Sequence, residues 1–293
     1  MTDEQLGFKG NADIFKQRTL EHDSPELLKY LHPGAQVLDV GCGPGSITVD
    51  VAKIVAPGAV VGIDVMEARV SSAAKLASDL GVNNVSFEVS DAHSLRFPDN
   101  TYDVVFSQTT LHSLIDPVRA LSEQRRVAKP GGWVIASGVR DWGFSPRYPA
   151  CPTLDKIHKA WTTYHELLQK RNLSGEKVPG EQERQLGEIR YLDLETARKC
   201  VRWFREVGLS DLQIQFSVES FEFFGSEEMV PYLTLIPPRS APDDPLWDVY
   251  RDMMAEGFVD EATIDQATEE VTTWYHNLDA FHFVGLLFVA GRA

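Results

Sequence analysis

The fold of this chain is decided by the stretch VLDVGCGPG, which occupies residues 37–45. Its apolar first half predicts a buried β-strand, and its glycines predict a tight turn into a helix that begins near Ser46. Glycines also remove the Cβ atoms that would keep a ligand away from the main chain. The free N–H groups at the start of the following helix favour an anionic or strongly polar group. A purely structural turn is the alternative at this point.

Outward from this stretch, short runs rich in Val and Ile alternate with longer segments of helical spacing. Strands that are apolar on both faces and alternate with helices are typical of a parallel sheet covered on both sides. The sequence therefore predicts a doubly wound α/β fold. The predicted strands are 36–40, 60–64, 85–89, 104–107 and 133–137, and the helices between them are 46–56, 67–80 and 117–128.

The second half of the chain is less regular. Its first part reads as a loop at 141–152, and the polar segment 172–190 is predicted to be mobile. Further helices and strands are predicted from amphipathic spacing and capping residues. They are helices at 154–168, from the cap Asp193 to about Glu206, at 245–256 and at 261–277 behind the cap Asp260, and strands at 212–218 and 281–290.

Charge argues against a nucleic-acid partner. The 293 residues contain 28 Lys and Arg against 43 Asp and Glu, which gives a net charge of −15. Residues 219–280 alone contain fifteen acidic residues against Arg239 and Arg251. Affinity for nucleic acids rests largely on cationic side chains that neutralise phosphates.

Composition also indicates a cytoplasmic protein without a membrane span. The longest apolar run, 281–290, is strand-sized and far short of the ~18 residues that a membrane helix needs. The first five residues are polar and acidic, unlike a secretory signal. The three cysteines, Cys42, Cys151 and Cys200, form no Cys-x-x-Cys pair and no disulfide framework.

Acidic residues follow the next two predicted strands. The strand at 60–64 ends in Asp64, about 20 residues beyond the glycines, where a carboxylate can accept both hydroxyls of a ribose. The strand at 85–89 is followed by Ser90, Asp91 and Ala92, a polar edge suited to a base. Ligands of open α/β sheets bind at the carboxyl ends of the strands, where strand order reverses. A nicotinamide dinucleotide would satisfy these features too.

Details of the loop favour a different nucleoside. The glycine spacing is G-x-G-x-G, and Ser46 stands where a dinucleotide fingerprint has its third glycine or alanine. Asp39 would repel a pyrophosphate but suits an ammonium group. Acids at three strand ends fit a ligand with one nucleoside and cationic groups, and S-adenosylmethionine is such a ligand.

The motifs LDVGCGPG, VVGID, SDA, FPDNTYDVVFSQTTLHSL and KPGGWV follow one another between residues 38 and 134. In this order the chain resembles the class I S-adenosylmethionine-dependent methyltransferases, and among them most closely the UbiE-type small-molecule branch. The resemblance covers about residues 35–138. It implies a mostly parallel, Rossmann-like sheet of seven strands with helical lid insertions, and S-adenosylhomocysteine as product.

The resemblance also implies roles for the loop residues. Asp39 and the backbone of Gly41, Cys42 and Gly43 would hold the methionine end of the cofactor. Asp64 would bind the ribose hydroxyls.

Four further positions and the end of the fourth strand would complete the cofactor site. Val65 or Met66 would pack on the adenine, and Asp91 with the N–H of Ala92 would contact its polar edge. Ser107 and Gln108 would line the floor near the sulfonium. A core position is the alternative for Met66.

The implied domain organisation has one interrupted core. Its parts are an N-terminal helical arm or lid at 1–34, the cofactor-binding Rossmann-like core at 35–140, a helical insertion at 141–190, a core helix and strand at 191–218, an acidic helical insertion that would form an acceptor lid at 219–280, and a C-terminal core strand at 281–293.

In such an enzyme the methyl group passes by in-line displacement to O, N or C of a small molecule. His112, just past the fourth strand, is the candidate general base, with a role in shaping the pocket as the alternative. No metal site is expected, because the histidines are scattered and no cysteine accompanies them. Arg18, in the N-terminal arm, is a candidate partner of the cofactor carboxylate.

The acceptor is expected to be small and hydrophobic or aromatic, because aromatic residues are frequent in the arm and the two insertions. These residues are Phe8, Phe15, Trp142, Phe144, Tyr148, Trp161, Tyr164, Tyr232, Trp247, Tyr250, Trp274 and Tyr275. Burial of one helix face explains most of them equally well.

Three alternative functions stay open on the sequence. The chain could bind S-adenosylmethionine without methyl transfer, as a cyclisation or rearrangement catalyst or as a binding module. It could methylate protein or RNA, which its acidic character disfavours. A nicotinamide oxidoreductase is disfavoured by Asp39 and the glycine spacing.

Overall fold

A computed structural model describes residues 18–141, 147–176, 193–221, 235–236, 246–277 and 280–293. The chain divides into two compact units. The first, called the sheet unit here, comprises Ala12–Val139, Thr196–Phe216 and Leu286–Ala293. The second, called the helical unit, contains the segments Arg140–Glu195 and Ser217–Gly285.

The strands and helices lie close to their predicted positions. The strands are β1 Gln36–Val40, β2 Ala59–Asp64, β3 Val85–Val89, β4 Tyr102–Gln108, β5 Ala128–Asp141, β6 Arg147–Tyr148, β7 Ser210–Phe221 and β8 Phe281–Arg292. The helices are α1 Leu20–Asp23, α2 Ser46–Val55, α3 Glu67–Asp79, α4 Pro117–Val127, α5 Pro152–Leu173, α6 Thr196–Glu206, α7 Leu246–Ala255 and α8 Glu261–Tyr275, with 3₁₀ turns at Pro25–Tyr30 and Leu111–Ser113.

The central strands form a parallel sheet whose order reverses at β1. Leu38 of β1 pairs with Val61 of β2 on one side and with Val105 of β4 on the other. The strand order is β3-β2-β1-β4-β5-β8, and β7 pairs with β8. Ligands of such sheets bind beyond the carboxyl ends of the strands at the point where the order reverses, here the ends of β1 and β4.

The last strand runs against its neighbour β5. Gly131 and Gly132, near the start of β5, exchange backbone hydrogen bonds of 3.0 and 3.1 Å with Ala293 at the chain end. Seven strands of the described sheet unit thus make a mostly parallel sheet, which confirms the predicted fold class. Within the helical unit, β6 pairs with the first residues of β8.

Each face of the sheet is covered, because both faces of its strands are apolar. Val37 of β1 belongs to a cluster with residues of α2 and of the Pro25–Tyr30 turn. Leu38 and Val40 belong to a second cluster, with residues of α4 and α6. Asp39 alternates with Leu38 and Val40, so it shares the face of Val37 and α2.

Helix ends follow their capping residues, with one correction. Asp260 caps α8 as predicted, since its carboxylate accepts the backbone N–H of Thr263 at 2.7 Å. Asp193 does not cap α6. Its carboxylate accepts the N–H of Glu195 at 2.9 Å, and the helix begins only at Thr196. The chain makes a local Asx turn there, which competes with the helical cap.

The segment predicted as a loop at 141–152 is partly extended. β5 continues to Asp141, and Arg147 and Tyr148 of β6 pair antiparallel with His282 and Phe281. The Tyr148 and Phe281 rings stack with centroids 5.6 Å apart. Two residues are too few to give a strand pattern, so this pairing had no sequence signal. The predicted mobile segment lies outside the described residues from 177 to 190.

The helical unit packs α5 against α7 and α8 around aromatic side chains. Trp161 and Tyr250 are fully buried and meet edge to face with ring centroids 5.6 Å apart. Glu270 of α8 accepts the backbone N–H groups of Thr153 and Leu154 at 2.9 and 3.0 Å, and so satisfies the start of α5. No described helix combines the length and apolarity that crossing a bilayer requires.

Phe204 tests the account of the core beneath the sheet. This side chain of α6 is fully buried in the cluster of Leu38 and Val40. We expect Phe204→Ala to lower the free energy of unfolding by about 3–5 kcal/mol, because it removes buried surface and leaves a cavity. The exposed Leu80 of the same unit provides the control. Leu80→Ala should change the free energy of unfolding by no more than about 0.5 kcal/mol. Urea titration followed by circular dichroism measures both; equal effects would contradict the assigned core.

Candidate functional site

The glycine loop closes the end of β1 through backbone contacts with β2. The N–H groups of Gly41 and Cys42 both donate to the carbonyl oxygen of Ile63 at 2.8 Å. Gly41, Gly43 and Gly45 have φ values of +83°, +55° and +84°, in the left-handed region that favours glycine. The sequence therefore needs glycine at all three positions to make this turn.

Two of these glycines are also required by close packing, and the third borders open space. A Cβ atom at Gly41 would overlap the Thr110 side chain, and one at Gly45 would lie 2.6 Å from the Cβ of Ala73. No atom lies within 4 Å of the position that a Cβ at Gly43 would take. The loop thus packs tightly at its two ends and leaves its middle accessible to a ligand.

Asp39 is a buried carboxylate of which one oxygen is hydrogen-bonded and the other has no hydrogen-bond partner among the described residues. It is 1% exposed, and its Oδ2 accepts a hydrogen bond from Thr48 Oγ1 at 2.7 Å. Its Oδ1 is buried and has no hydrogen-bond partner among the described residues. Burial raises the pKa of Asp39 to about 7, against the opposing effect of the Thr48 hydrogen bond; the charge of Asp64 raises it further. A cationic group would satisfy the remaining oxygen.

Asp64 faces the same loop from the end of β2. Its Oδ2 accepts the Gly43 N–H at 3.1 Å, and its Oδ1 accepts the Met66 N–H at 3.0 Å. Arg69 Nη1 lies 3.8 Å from Oδ2. The pKa of the Cys42 thiol is raised by burial and then by the charges of Asp39 and Asp64. The structure thus brings these two carboxylates together around the loop.

The residues after Asp64 divide between surface and core. Val65 is 42% exposed, whereas Met66 is buried at the start of α3. An exposed apolar side chain beside a carboxylate offers a face on which an adenine could pack. Met66 fits the core alternative, so of these two side chains Val65 is the better placed for adenine.

Asp91 lies farther out than the other two acids. Its side chain is 59% exposed, and its Oδ1 accepts the backbone N–H of His93 at 2.9 Å and lies 2.7 Å from His93 Nδ1. This side-chain hydrogen bond is the main cause that lowers the pKa of Asp91. The Ser90 N–H donates to the Asp64 carbonyl oxygen at 3.1 Å, so the ends of β2 and β3 are joined by a backbone hydrogen bond. Ala92 is partly buried against the core.

The end of β4 carries Ser107 and Gln108 as predicted. Ser107 is 1% exposed, and its Oγ has no hydrogen-bond partner in the described part of the chain. Gln108 donates from Nε2 to the Asp23 carbonyl oxygen at 3.0 Å. Thr109 follows with a φ of +54°, a strained conformation of the kind that clusters at functional sites. His112 comes next, buried in the 3₁₀ turn.

The N-terminal segment is anchored over the ends of β4 and β5. Arg18 Nη1 donates to Thr109 Oγ1 at 3.2 Å, and its Nε lies 3.7 Å from Asp23 Oδ1. The hydroxyls of Ser24 and Ser137 are 2.5 Å apart. Arg18 therefore lies at the ligand edge of the sheet, and its contact with a cofactor carboxylate stays a prediction.

Sequence reasoning missed the residues that hold the acids in place. These are Thr48 beside Asp39, Arg69 near Asp64, and His93 on Asp91. Thr48 is the third residue of the helix that follows the loop, so its hydroxyl returns to the strand. The position of Thr48 in the first turn of this helix could have been recognised in the sequence. The contacts of Arg69 and His93 depend on side-chain conformations that the sequence does not reveal.

The predicted acceptor residues that the structure describes lie mostly in the core of the helical unit. Trp161, Tyr164, Trp247, Tyr250 and Trp274 are buried there. Five further aromatic residues predicted for the acceptor site lie outside the described ranges: Phe8, Phe15, Trp142, Phe144 and Tyr232. Within the described ranges, no group of three or more His, Cys, Asp or Glu side chains has the arrangement of a metal site.

These residues fit S-adenosylmethionine. The buried Oδ1 of Asp39, which has no partner among the described residues, suits the ammonium group of this cofactor. The open space at Gly43 admits the chain of its methionine part, and the Asp64 carboxylate suits its ribose. A pyrophosphate would instead meet two buried carboxylates, which argues against a dinucleotide.

Comparisons with known proteins agree with this fit. A family model described as a methyltransferase domain matches residues 31–193, more than half of the chain. An uncharacterized methyltransferase of Schizosaccharomyces pombe is 40% identical over 129 residues, covering 42% of this chain and 46% of the relative. The UbiE ubiquinone/menaquinone biosynthesis C-methyltransferase of Bdellovibrio bacteriovorus is 36% identical over 112 residues, covering 38% and 47%. The chain thus spans about half the length of these curated relatives.

Among solved structures, the YcgJ protein from Bacillus subtilis has a TM-score of 0.56 at 16% identity. The match covers 93% of this chain and 98% of that protein. At this identity the likeness concerns the fold alone. Membership of the UbiE-type branch stays a prediction, but the motifs and the family match agree on the class. The chain belongs to the methyltransferase domain family, as a class I S-adenosylmethionine-dependent member.

Proposed function

We propose that this protein transfers a methyl group from S-adenosylmethionine to O, N or C of a small molecule. The observation that carries the proposal is the pair of buried carboxylates, Asp39 and Asp64, on either side of the glycine loop. Asp39 Oδ1 has no hydrogen-bond partner among the described residues, and the loop between the two acids is open at Gly43. Family membership supports the same cofactor.

The two carboxylates would divide the cofactor between them. Asp39 would bind the ammonium of the methionine end through Oδ1, because a buried anion gains most from a charged partner. Asp64 would accept the ribose hydroxyls, with Val65 against the adenine and Asp91 and the Ala92 N–H at its edge. Gly41, Cys42 and Gly43 would present their backbone to the methionine end. These roles place cofactor binding within the core predicted at 35–140.

The bound cofactor supplies a methyl group on a sulfonium, which is a good leaving group. The task left to the protein is alignment, and alignment of two bound reactants is worth effective molarities of about 10⁵–10⁸ M. Ser107 and Gln108 would form the floor of the site at the end of β4. The anchored segment of Arg18, Asp23 and Ser24 covers that edge and would exclude water.

His112 would act as general base toward the acceptor. Thr110, two residues before it, packs against Gly41, so this turn lies beside the glycine loop. A neutral imidazole can accept a proton from the attacking group of an acceptor. A positioned base adds about 10²–10⁴-fold to a rate.

The acceptor we propose is a small hydrophobic or aromatic molecule. One relative is named a ubiquinone/menaquinone biosynthesis C-methyltransferase, and quinones are small, planar and largely apolar. Tyr148, one of the residues predicted for the acceptor site, remains exposed and stacks on the exposed Phe281. The net charge of −15 disfavours a nucleic-acid substrate.

Calorimetry and turnover together test the proposal. We expect S-adenosylmethionine and S-adenosylhomocysteine to bind the purified protein and NADH not to bind. Incubation with S-adenosylmethionine and a panel of phenols, hydroxyquinones and amines should then release S-adenosylhomocysteine with at least one acceptor class. Folded protein that binds NADH and neither sulfur nucleoside would overturn the assignment.

Asp64→Ala tests the ribose site. We expect it to weaken S-adenosylhomocysteine binding by at least about tenfold, because two ribose hydroxyls lose a charged acceptor. The exposed Asp79 of α3 gives a control of equal charge, and Asp79→Ala should bind like the wild type. Both dissociation constants come from titration calorimetry. An unchanged affinity in Asp64→Ala would refute the role of this carboxylate.

His112→Ala separates catalysis from binding. We expect the methyl-transfer rate to fall by about 10²–10⁴-fold while S-adenosylhomocysteine affinity stays nearly unchanged, because a base acts on the acceptor. The exposed His22 serves as control through His22→Ala. Rates are read as S-adenosylhomocysteine released with the best acceptor of the panel. A large loss of affinity would instead show that His112 supports the cofactor pocket.

A further inference from the structure

We propose that Thr48 is a positioning residue that turns the Asp39 carboxylate toward the ammonium group of the bound cofactor. The inference rests on the proposed function and deepens it, because it explains how one acid of the site is aimed. Thr48 is fully buried, and its hydroxyl donates to Asp39 Oδ2 at 2.7 Å. Asp39 Oδ1 is buried as well and has no partner among the described residues.

Thr48 is held rigidly enough to do this. It is the third residue of α2, and Ile47, Val51 and Val55 bury that helix against the sheet. Asp39 lies on β1 between two paired strands, opposite Gly62 and Phe106. The distance between hydroxyl and carboxylate is therefore set by the packing of α2 on the sheet. One carboxylate oxygen is fixed to the helix, and the other is left for a ligand.

Thr48 also opposes the neutralisation of Asp39. Burial favours the protonated acid, and the hydrogen bond from Thr48 lowers the pKa that burial raises. The titratable groups acting on Asp39 in the described structure are Asp64 on β2 and Cys42 in the loop. Asp64 raises the pKa of Asp39, and the Cys42 thiol stays neutral because its own pKa is raised by burial. Removal of the Thr48 hydroxyl therefore leaves more of Asp39 protonated at neutral pH.

The sign of the pH effect follows. A cationic ligand prefers the ionised carboxylate, so binding strengthens as the pH rises through the pKa of Asp39, near 7. Without the Thr48 hydroxyl this rise should move to higher pH. Methylthioadenosine carries the same adenosine but no ammonium, so its binding should not depend on Thr48.

The experiment is calorimetric titration of S-adenosylhomocysteine and of methylthioadenosine between pH 6 and pH 9. We expect Thr48→Val to bind S-adenosylhomocysteine about tenfold more weakly at pH 7, since a hydrogen bond to a charged group is lost. The deficit should shrink toward pH 9, and Thr48→Ser should restore the wild-type profile. Methylthioadenosine should bind all three proteins alike.

The buried Thr196 of α6 provides the matched control. It is the first residue of α6, whose Ala197 and Cys200 belong to the cluster of Leu38 and Val40 on the other side of the sheet, and Thr196→Val should bind both ligands like the wild type. If Thr48→Val does not fold, Thr48→Ala takes its place in the same titrations. Circular dichroism checks the fold of each variant.

Two results would overturn the inference while the proposed function stands. One is wild-type affinity for S-adenosylhomocysteine in folded Thr48→Val at every pH. The other is an equal loss for S-adenosylhomocysteine and methylthioadenosine, which would mean general damage to the site. Failure of the wild-type protein to bind either nucleoside would overturn the proposed function itself.

Discussion

The site depends on the burial of two carboxylates at the ends of adjacent strands. Removal of an ionised group from water costs several kcal/mol unless partners replace the lost hydration. Asp64 has such partners, because it accepts the N–H groups of Gly43 and Met66. Asp39 has Thr48 for one oxygen and no described partner for the other, and its pKa is raised to about 7. The protein thus maintains an incompletely satisfied acid, and a cationic ligand is the group that would satisfy it.

The sheet and the loop make this arrangement possible. Parallel pairing of β1 with both β2 and β4 brings three strand ends to one edge, and the strand order reverses there, where ligands of such sheets bind. The loop can cross that edge only because three glycines adopt positive φ. Thr110 and Ala73 fill the space beside Gly41 and Gly45 and leave Gly43 open. Sterics therefore decide where a ligand can reach the backbone.

Much of the fold could be predicted because its signals are local and repeated. Alternation of Val-rich runs with helical spacing gave the strands of the parallel sheet, and the glycines with Asp64 gave the centre of the site. Other features depend on side-chain contacts that the periodicity of the sequence does not reveal. Tyr148 of the two-residue strand β6 stacks on Phe281, with which it pairs, and the late start of α6 accompanies an Asx turn at Asp193. The contact of Asp91 with His93 is of the same kind, and the role of Asp91 at the adenine edge stays a prediction.

The distribution of roles among the acids is tested most directly by a crystal structure of the protein with S-adenosylhomocysteine. The account predicts both ribose hydroxyls within hydrogen-bond distance of the Asp64 carboxylate and the ligand ammonium on Asp39 Oδ1, with Thr48 still on Oδ2. A nucleoside bound elsewhere, or an ammonium group that avoids Asp39, would contradict it.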